Sequence, residues 1–381
     1  MLNKNKSDNK NKKKKEIDIY SASHSELIWM NFKKHRLAMT ALGILIVIYI
    51  VSIFCGFFSP MDPQAYSQMR TYQPPQRIRF FDEEGFNFRP FVYGYKGSRD
   101  MDTLRRVYEV DKSKKYPIKF FTRGHEYKLL GLFETDIHLF GTEEGYIHLL
   151  GTDSMGRDVL SRILYGGRIS TSIGFIGVII SFVLGITIGG IAGLYGGIVD
   201  NIIQRVIELI RSIPKIPLWM GLSAALPSTW SPLKVYAGIV AILALIAWTG
   251  LARIVRSKFL SLKNEDFVVL ARLSGASESR IIIKHMVPAF LSHIIASLTL
   301  NIPQMIISET SLSFLGIGLR PPVVSWGVLL QSAQSVSTVA LAPWLLFPGV
   351  AVIITVLAFN FVGDGLRDAA RSEEHTSELQ S

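Results

Sequence analysis

The stretch ISTSIGFIGVIISFVLGITIGGIAGLY, residues 169–195, decides the fold. It runs for 27 residues without a charged side chain. A helix rises 1.5 Å per residue, so ~20 apolar residues cross the ~30 Å hydrocarbon layer of a bilayer. This stretch is long enough to do so. Within it Gly185, Gly189 and Gly193 recur at every fourth position and share one helix face. Glycines so placed let a second backbone approach closely. Bundle packing is the simpler reading of that seam, and a tight wall beside a translocation path is the functional one.

Four more segments have the same character: Leu37–Phe58, Val235–Leu251, Met286–Ile307 and Leu341–Val362. Met286–Ile307 carries His293, Asn301 and Pro303 but no charge other than a titrating histidine, whose expected role is a hydrogen bond between helices. A sixth span is less regular. Asn201–Arg211 puts Gln204, Arg205, Glu208 and Arg211 on one face and Ile203, Ile207 and Ile210 on the other. It reads as an interfacial turn leading into IPKIPLWMGLSAALP, a proline-kinked span ending near Leu226. The expected fold is an all-α polytopic membrane protein with six transmembrane helices.

Lysine and arginine set the orientation. The N-terminal flank and the loops Arg205–Arg211 and Arg253–Lys284 are basic, whereas Leu226–Lys234 and Glu309–Ala340 carry one basic residue each. The positive-inside rule then places both termini in the cytoplasm. Glu309 and Glu208 fall at opposite span ends and are expected at the membrane interface.

The totals agree: 49% hydrophobic residues, a mean hydropathy of +0.30 and a formal charge of +11. Much of that charge lies in residues 1–36, where NKNKSDNKNKKKKE precedes FKKHR. Such a run cannot bury a core, so a disordered cytoplasmic tail is expected. An apolar span starts directly after it, at Leu37. The tail therefore reads as a topology signal attracted to an anionic lipid bilayer, with no nucleic acid as partner. The lone Cys55 excludes an intrachain disulfide and a cysteine metal cluster.

Residues 59–168 differ from the rest. RIRFFDEEGFNFRPFVYGYKGS and YPIKFFTRGHEYKLLG alternate in short runs broken at Glu84-Gly85, Gly94, Gly97 and Gly124. They predict a small β-rich extracytoplasmic insertion between helices 1 and 2. His125, His138 and His148 fit no metal spacing and read as ordinary surface histidines.

No motif for bond-breaking chemistry is present. GxxxxGK[ST], HExxH and GxSxG are all missing, as are paired carboxylates on a membrane helix. The chain reads as a non-enzyme with no catalytic residue, cofactor or metal. If ATP drives it, the ATPase is another chain.

That makes the loop EDFVVLARLSGASESRIIIKHMVP, Glu265–Pro288, informative. Phe267–Leu273 predicts a short helix, Gly275 its end and Ser277 the cap of a second helix running through Ile281–Ile283 towards Pro288. The residues alone leave two readings open: an element that transmits a push from a partner, and an amphipathic helix resting on headgroups.

The loop resembles the EAA motif of permeases in the ATP-binding-cassette importer class. Gly275 and Pro288 match its glycine-to-proline spacing, and Ala271 matches its second alanine. Val269 and Leu270 stand where the acidic residue and first alanine would be. The peptide-permease form, AAR-x-x-GAS followed by RHxxP, is met by Ala271, Arg272, Gly275, Ala276, Ser277, Lys284, His285 and Pro288. GTDSMGRD at 151–158, with Ser161-Arg162, Tyr165-Gly166, Arg168 and Ser170, is similar to a second family signature. LSFLG at 312–316, with Pro321-Pro322 and Ser325-Trp326-Gly327, is similar to a third, and GDGLRD at 363–368 to a fourth. Together they span Ser21 to Ala370.

The resemblance is to the "C"-type permease subunits of dipeptide and oligopeptide importers in a bacterial or archaeal cytoplasmic membrane. It implies a permease core at 169–365 with five spans and a coupling loop at 265–288, a first span at 37–58 and a cytoplasmic end at 366–370. It further implies a second homologous permease subunit, two cytoplasmic ATPase subunits, an extracytoplasmic peptide-binding protein and a peptide substrate. The residues it assigns to ATPase coupling are Leu270, Ala271, Leu273, Gly275, Ala276 and Pro288. Permeases for nickel or metal chelates share the pattern, and an ion-gradient-driven transporter is the alternative from another class. The final segment, RSEEHTSELQS at 371–381, matches the translation of a common sequencing adapter and is expected to be foreign to the natural chain.

Overall fold

The computed structural model describes residues 24–83, 85–101, 106–227 and 229–378, with backbone alone at 24–25, 291–293 and 372–378. Most of the lysine run and the last three residues fall outside the described residues, as does the side chain of His293.

Helices dominate. α1 is His24–Lys34 and α2 is Arg36–Ile53. α3 is Val159–Tyr195, α4 is Gly197–Ser212, α5 is Lys215–Ala224 and α6 is Pro232–Leu262. α7 is Asp266–Leu273, α8 is Leu291–Phe314, α9 is Trp326–Gln331 and α10 is Phe347–Glu378. α3 lies along α6, α8 packs on α3 and α10, and α10 packs on α1 and α2.

Two of the bundle's apolar cores each join three long segments. Ile173, Val178, Ile239, Leu243, Met305 and Leu312 join α3, α6 and α8. Phe32, Ala38, Leu45, Phe359 and Val362 join α1, α2 and α10. The opposite faces stay apolar too: Ile46, Val47 and Ile50 on α2, and Ile353 and Leu357 on α10, are exposed. Helices apolar on both faces suit a lipid surrounding, which demands only that backbone polar groups be paired internally.

Among the described residues four segments are long and apolar enough to cross a membrane: Arg36–Ile53, Val159–Tyr195, Pro232–Leu262 and Pro343–Arg371. A fifth forms only as a bent pair, Glu278–Ala289 and Ile294–Phe314, inclined by 85°. The first arm contains a π-helical turn at Ile281–Met286 and Pro288, and the helix ends at Phe290, whose backbone (φ −130°, ψ 23°) leaves the helical region. The segment expected as the third span is divided at Pro214, leaving α5 with 10 residues. At 1.5 Å per residue that is about 15 Å, half the hydrocarbon thickness. A count of six therefore needs both irregular segments.

The tail ends in structure. α1 precedes the expected start of the bundle, and Phe32 is 1% exposed against the second core. At the other end the α10 backbone continues to Glu378.

The β-rich insertion comprises β1 (Arg79–Asp82), β2 (Gly85–Arg99), β3 (Arg106–Pro117), β4 (Lys119–Leu129) and β5 (Phe133–Gly141). β1–β2–β3 form one antiparallel sheet and β4–β5 a second. Gly94 and Gly97 lie inside β2 and do not end it. A Cβ on Gly94 would come within 3.0 Å of Lys114, and one on Gly97 within 3.2 Å of the Tyr108 ring. Both glycines make room for side chains that cross the sheet face. The insertion meets the bundle where α2 ends: the ring of Tyr127 covers Gly56, and His138 Nδ1 lies 2.8 Å from the Gly56 carbonyl. His138 and His148 are buried, at 1% and 2% exposure, and so are not surface histidines.

Candidate functional site

α7 lies at one end of the bundle and divides its faces sharply. Val268 and Ala271 turn inward onto Leu251, Val255 and Phe259 of α6, and onto Ile281 and Met286. Leu270 and Leu273 point away, at 61% and 79% exposure. Apolar residues that large, side by side on an anchored helix, form a surface suited to another chain.

The turn after α7 is fixed by the backbone. Ala276 N–H donates to the Ala271 carbonyl at 3.1 Å, and Gly275 N–H donates to the Arg272 carbonyl at 3.0 Å. This is a Schellman closure, with Gly275 at φ +77°. Nothing lies within 4 Å of a Cβ placed on Gly275, so its necessity is conformational and not one of space. Ser277 occupies the next N-cap position but its side chain makes no cap hydrogen bond.

The structure thus separates the six residues assigned to coupling. Leu270, Leu273, Gly275 and Pro288 are exposed, whereas Ala271 is buried and Ala276 is half-buried against the same inner cluster. The two alanines anchor the helix and the two leucines face outward.

The glycine seam supports this end of the bundle. A Cβ on Gly185 would lie 2.9 Å from Leu251, one on Gly189 2.4 Å from the Ala252 carbonyl oxygen, and one on Gly193 2.6 Å from Phe259. All three neighbours are on α6, whose inner half carries α7. Arg256 of α6 also grips both carboxylate oxygens of Asp200 on α4.

Two of the other motifs, GTDSMGRD and LSFLG with Ser325-Trp326-Gly327, gather at the opposite end, where Thr152, Asp153, Asp158, Ser313 and Ser325 are buried. GDGLRD instead lies on α10 beside Phe32 and Ala38, with Asp364, Arg367 and Asp368 exposed. In GTDSMGRD, Asp153 Oδ1 accepts from the N–H of Met155 at 2.8 Å and of Arg157 at 3.0 Å, while Oδ2 accepts from Arg157 Nε at 2.8 Å. Asp158 caps α3 by accepting from Ser161 N–H at 2.7 Å, and its other oxygen meets His148 Nδ1 at 3.0 Å. Gly156, at φ +74°, leaves no room for a Cβ, which would sit 2.1 Å from the Ser67 carbonyl oxygen.

Glu309 is the centre of a second knot. It is 0% exposed, enclosed by its own chain. Ser170 donates to Oε2 at 3.0 Å, and Ser313 and Ser325 donate to Oε1 at 2.8 and 2.7 Å. Each serine oxygen in turn accepts a backbone N–H: Trp326 on Ser170, Leu319 on Ser313, Val328 on Ser325. One carboxylate therefore fastens α3, α8 and the segment 315–331 together. Glu208, by contrast, is exposed and pairs with Arg205 at 2.9 Å. In the insertion, burial and the neighbouring His138 push His125 down from the ordinary 6.5 to about 4. The two imidazole rings lie 4.4 Å apart.

Residues 185–372 match the family of binding-protein-dependent transport system inner membrane components, and residues 23–75 match the N-terminal transmembrane domain of oligopeptide transport permease C. The oligopeptide transport system permease protein OppC of Haemophilus influenzae is 42% identical over 229 residues, covering 60% of this chain and 71% of that one. The chain belongs to the permease family of dipeptide and oligopeptide ABC importers. The dipeptide permease DppC of Bacillus subtilis is 38% identical over 58% of this chain and 68% of its own. The glutathione permease GsiD of Pectobacterium atrosepticum is 40% identical over 58% and 71%. Permeases of this family are multi-pass inner-membrane subunits, and ATP is hydrolysed by separate subunits.

In this permease, sequence reasoning located the loop but missed the Glu309 knot. One signal was present: Glu309 and Ser313 stand four apart on an apolar helix, where side chains meet. Ser170, 139 residues away, carries no local sign of its role.

Proposed function

We propose that this chain is a permease subunit of an ATP-driven peptide importer and forms half of its translocation path. The exposed pair Leu270 and Leu273, on a helix fixed to the bundle by Val268 and Ala271, carries the coupling part of this reading. A cytoplasmic ATPase docks on that pair, and the rigid Gly275 turn passes its closure to the bent segment and α8. In this reading the six spans are α2, α3, the α4–α5 pair, α6, the bent segment with α8, and α10. Both termini are cytoplasmic, the insertion faces outward towards an extracytoplasmic peptide-binding protein, and a second homologous permease with a second ATPase completes the assembly. The family membership and the names of the relatives support peptide as cargo.

Proteoliposomes holding the assembled transporter test this reading. Uptake of a labelled peptide is expected to require ATP and the binding protein and to survive collapse of ion gradients. Uptake driven by an ion gradient without ATP would overturn it.

A further inference from the structure

A cavity of about 200 Å³ lies inside the bundle between α3, α5, α6 and α8. Pockets that engulf drug-sized ligands measure ~300–1,000 Å³, so this one suits about one amino-acid residue. Its lining is chemically one-sided. Asn301 and Gln304, three apart on α8, supply amides, and Arg211 and Lys215 supply cations from either side of the α4–α5 junction. Among the described residues no Asp or Glu lines it. Leu243 and Met305 give it an apolar wall.

Two details mark the cavity as made for a ligand. Trp219, 8% exposed, lines it, and its buried indole N–H meets no acceptor. Indole can only donate, so a missing acceptor is a cost that a ligand oxygen removes. Arg211 Nη1 lies 3.8 Å from the Cβ position of Gly250 of α6, another lining residue. Neither Arg211 nor Lys215 has an ion-pair partner among the described residues.

We propose that this cavity is a subsite for the C-terminal residue of the transported peptide. Arg211 and Lys215 take the carboxylate, Asn301, Gln304 and the Trp219 N–H take main-chain groups, and the apolar wall takes the side chain. The absence of acidic lining residues disfavours the ammonium end. The proposal rests on the peptide reading above.

The test uses the complete transporter in proteoliposomes with saturating binding protein, fed one peptide as the free acid or as its C-terminal amide. Comparing each variant with wild type on the same peptide cancels the preference of the binding protein. Arg211→Gln and Lys215→Gln are each expected to slow uptake of the acid about tenfold and to leave the amide unchanged, the size of a lost charged hydrogen bond. Trp219→Phe, which keeps the ring and removes the N–H, is expected to slow both peptides. Both cations are exposed, so unaltered melting is the control for folding. Equal slowing of acid and amide by the cation variants, or no slowing, overturns the subsite. So does a defect that appears only when anionic lipid is present, which would assign the cations to headgroups. Wild-type transporter that takes up neither peptide overturns the peptide reading itself.

Discussion

The two ends of this bundle carry motifs of the same family but treat them oppositely. At one end α7 leaves Leu270 and Leu273 in the open, held by a backbone turn and two small inward residues. At the other, Asp153, Asp158 and Glu309 are 4%, 1% and 0% exposed and spend their oxygens on neighbouring serines, arginines and N–H groups. A motif turned outward is open to another chain, whereas a motif turned inward holds its own. The spelling of a motif does not distinguish the two, but the burial of its polar atoms does.

Removing a buried acceptor should have the largest effect. Glu309→Ala strands three serine hydroxyls, each costing roughly 1–3 kcal/mol when left unpaired. The variant is expected to melt far below wild type in detergent, and Glu309→Gln, which keeps one carbonyl acceptor, to fall between them. Wild-type melting of the alanine variant would mean that the Glu309 knot holds nothing. Gly189→Val comes next. Its Cβ must displace the Ala252 backbone, so ~1–3 kcal/mol of overpacking is expected. The atoms nearest a Cβ on Gly185 belong to the Leu251 side chain and not to backbone, so Gly185→Ala should cost less.

Gly275→Ala is smaller again, roughly 1 kcal/mol for a side chain held at φ +77°. Because the site is open, the variant should fold, and its loss should appear in ATP-coupled uptake more than in melting. A pH dependence comes last, because His125 is only half-buried and solvent screens its shift. His125 binds its proton less readily folded than unfolded, so between about 4 and 6.5 the unfolded chain holds more protons. Stability from this group is complete above pH 6.5, declines as pH falls through that window and is lost below about 4. Melting curves across that range should show the decline, and His125→Asn should flatten it.

Much of the bundle was legible because its signals are local. The uncharged run 169–195 needs no partner to declare a span, and the spacing of Gly185, Gly189 and Gly193 anticipates a close helix contact before α6 is known to supply it. Gly275 likewise announces its turn. What stayed hidden depends on distant residues. The burial of Glu309 was hidden because Ser170 and Ser325 are invisible from its neighbourhood, and His138 looked exposed because Gly56 lies 82 residues away. β2 looked broken at Gly94 and Gly97 because the side chains that need those gaps, Lys114 and Tyr108, come from β3. The shortness of α5 follows from Pro214, which reads from sequence equally as a kink within a span or as a break.

The pair Leu270→Asp and Leu273→Asp tests the central claim most directly. Surface changes of this kind normally move stability by less than ~0.5 kcal/mol. The account predicts a double variant that inserts and melts like wild type, no longer copurifies with ATPase subunits, and takes up no peptide. Copurification and uptake at wild-type levels would contradict it.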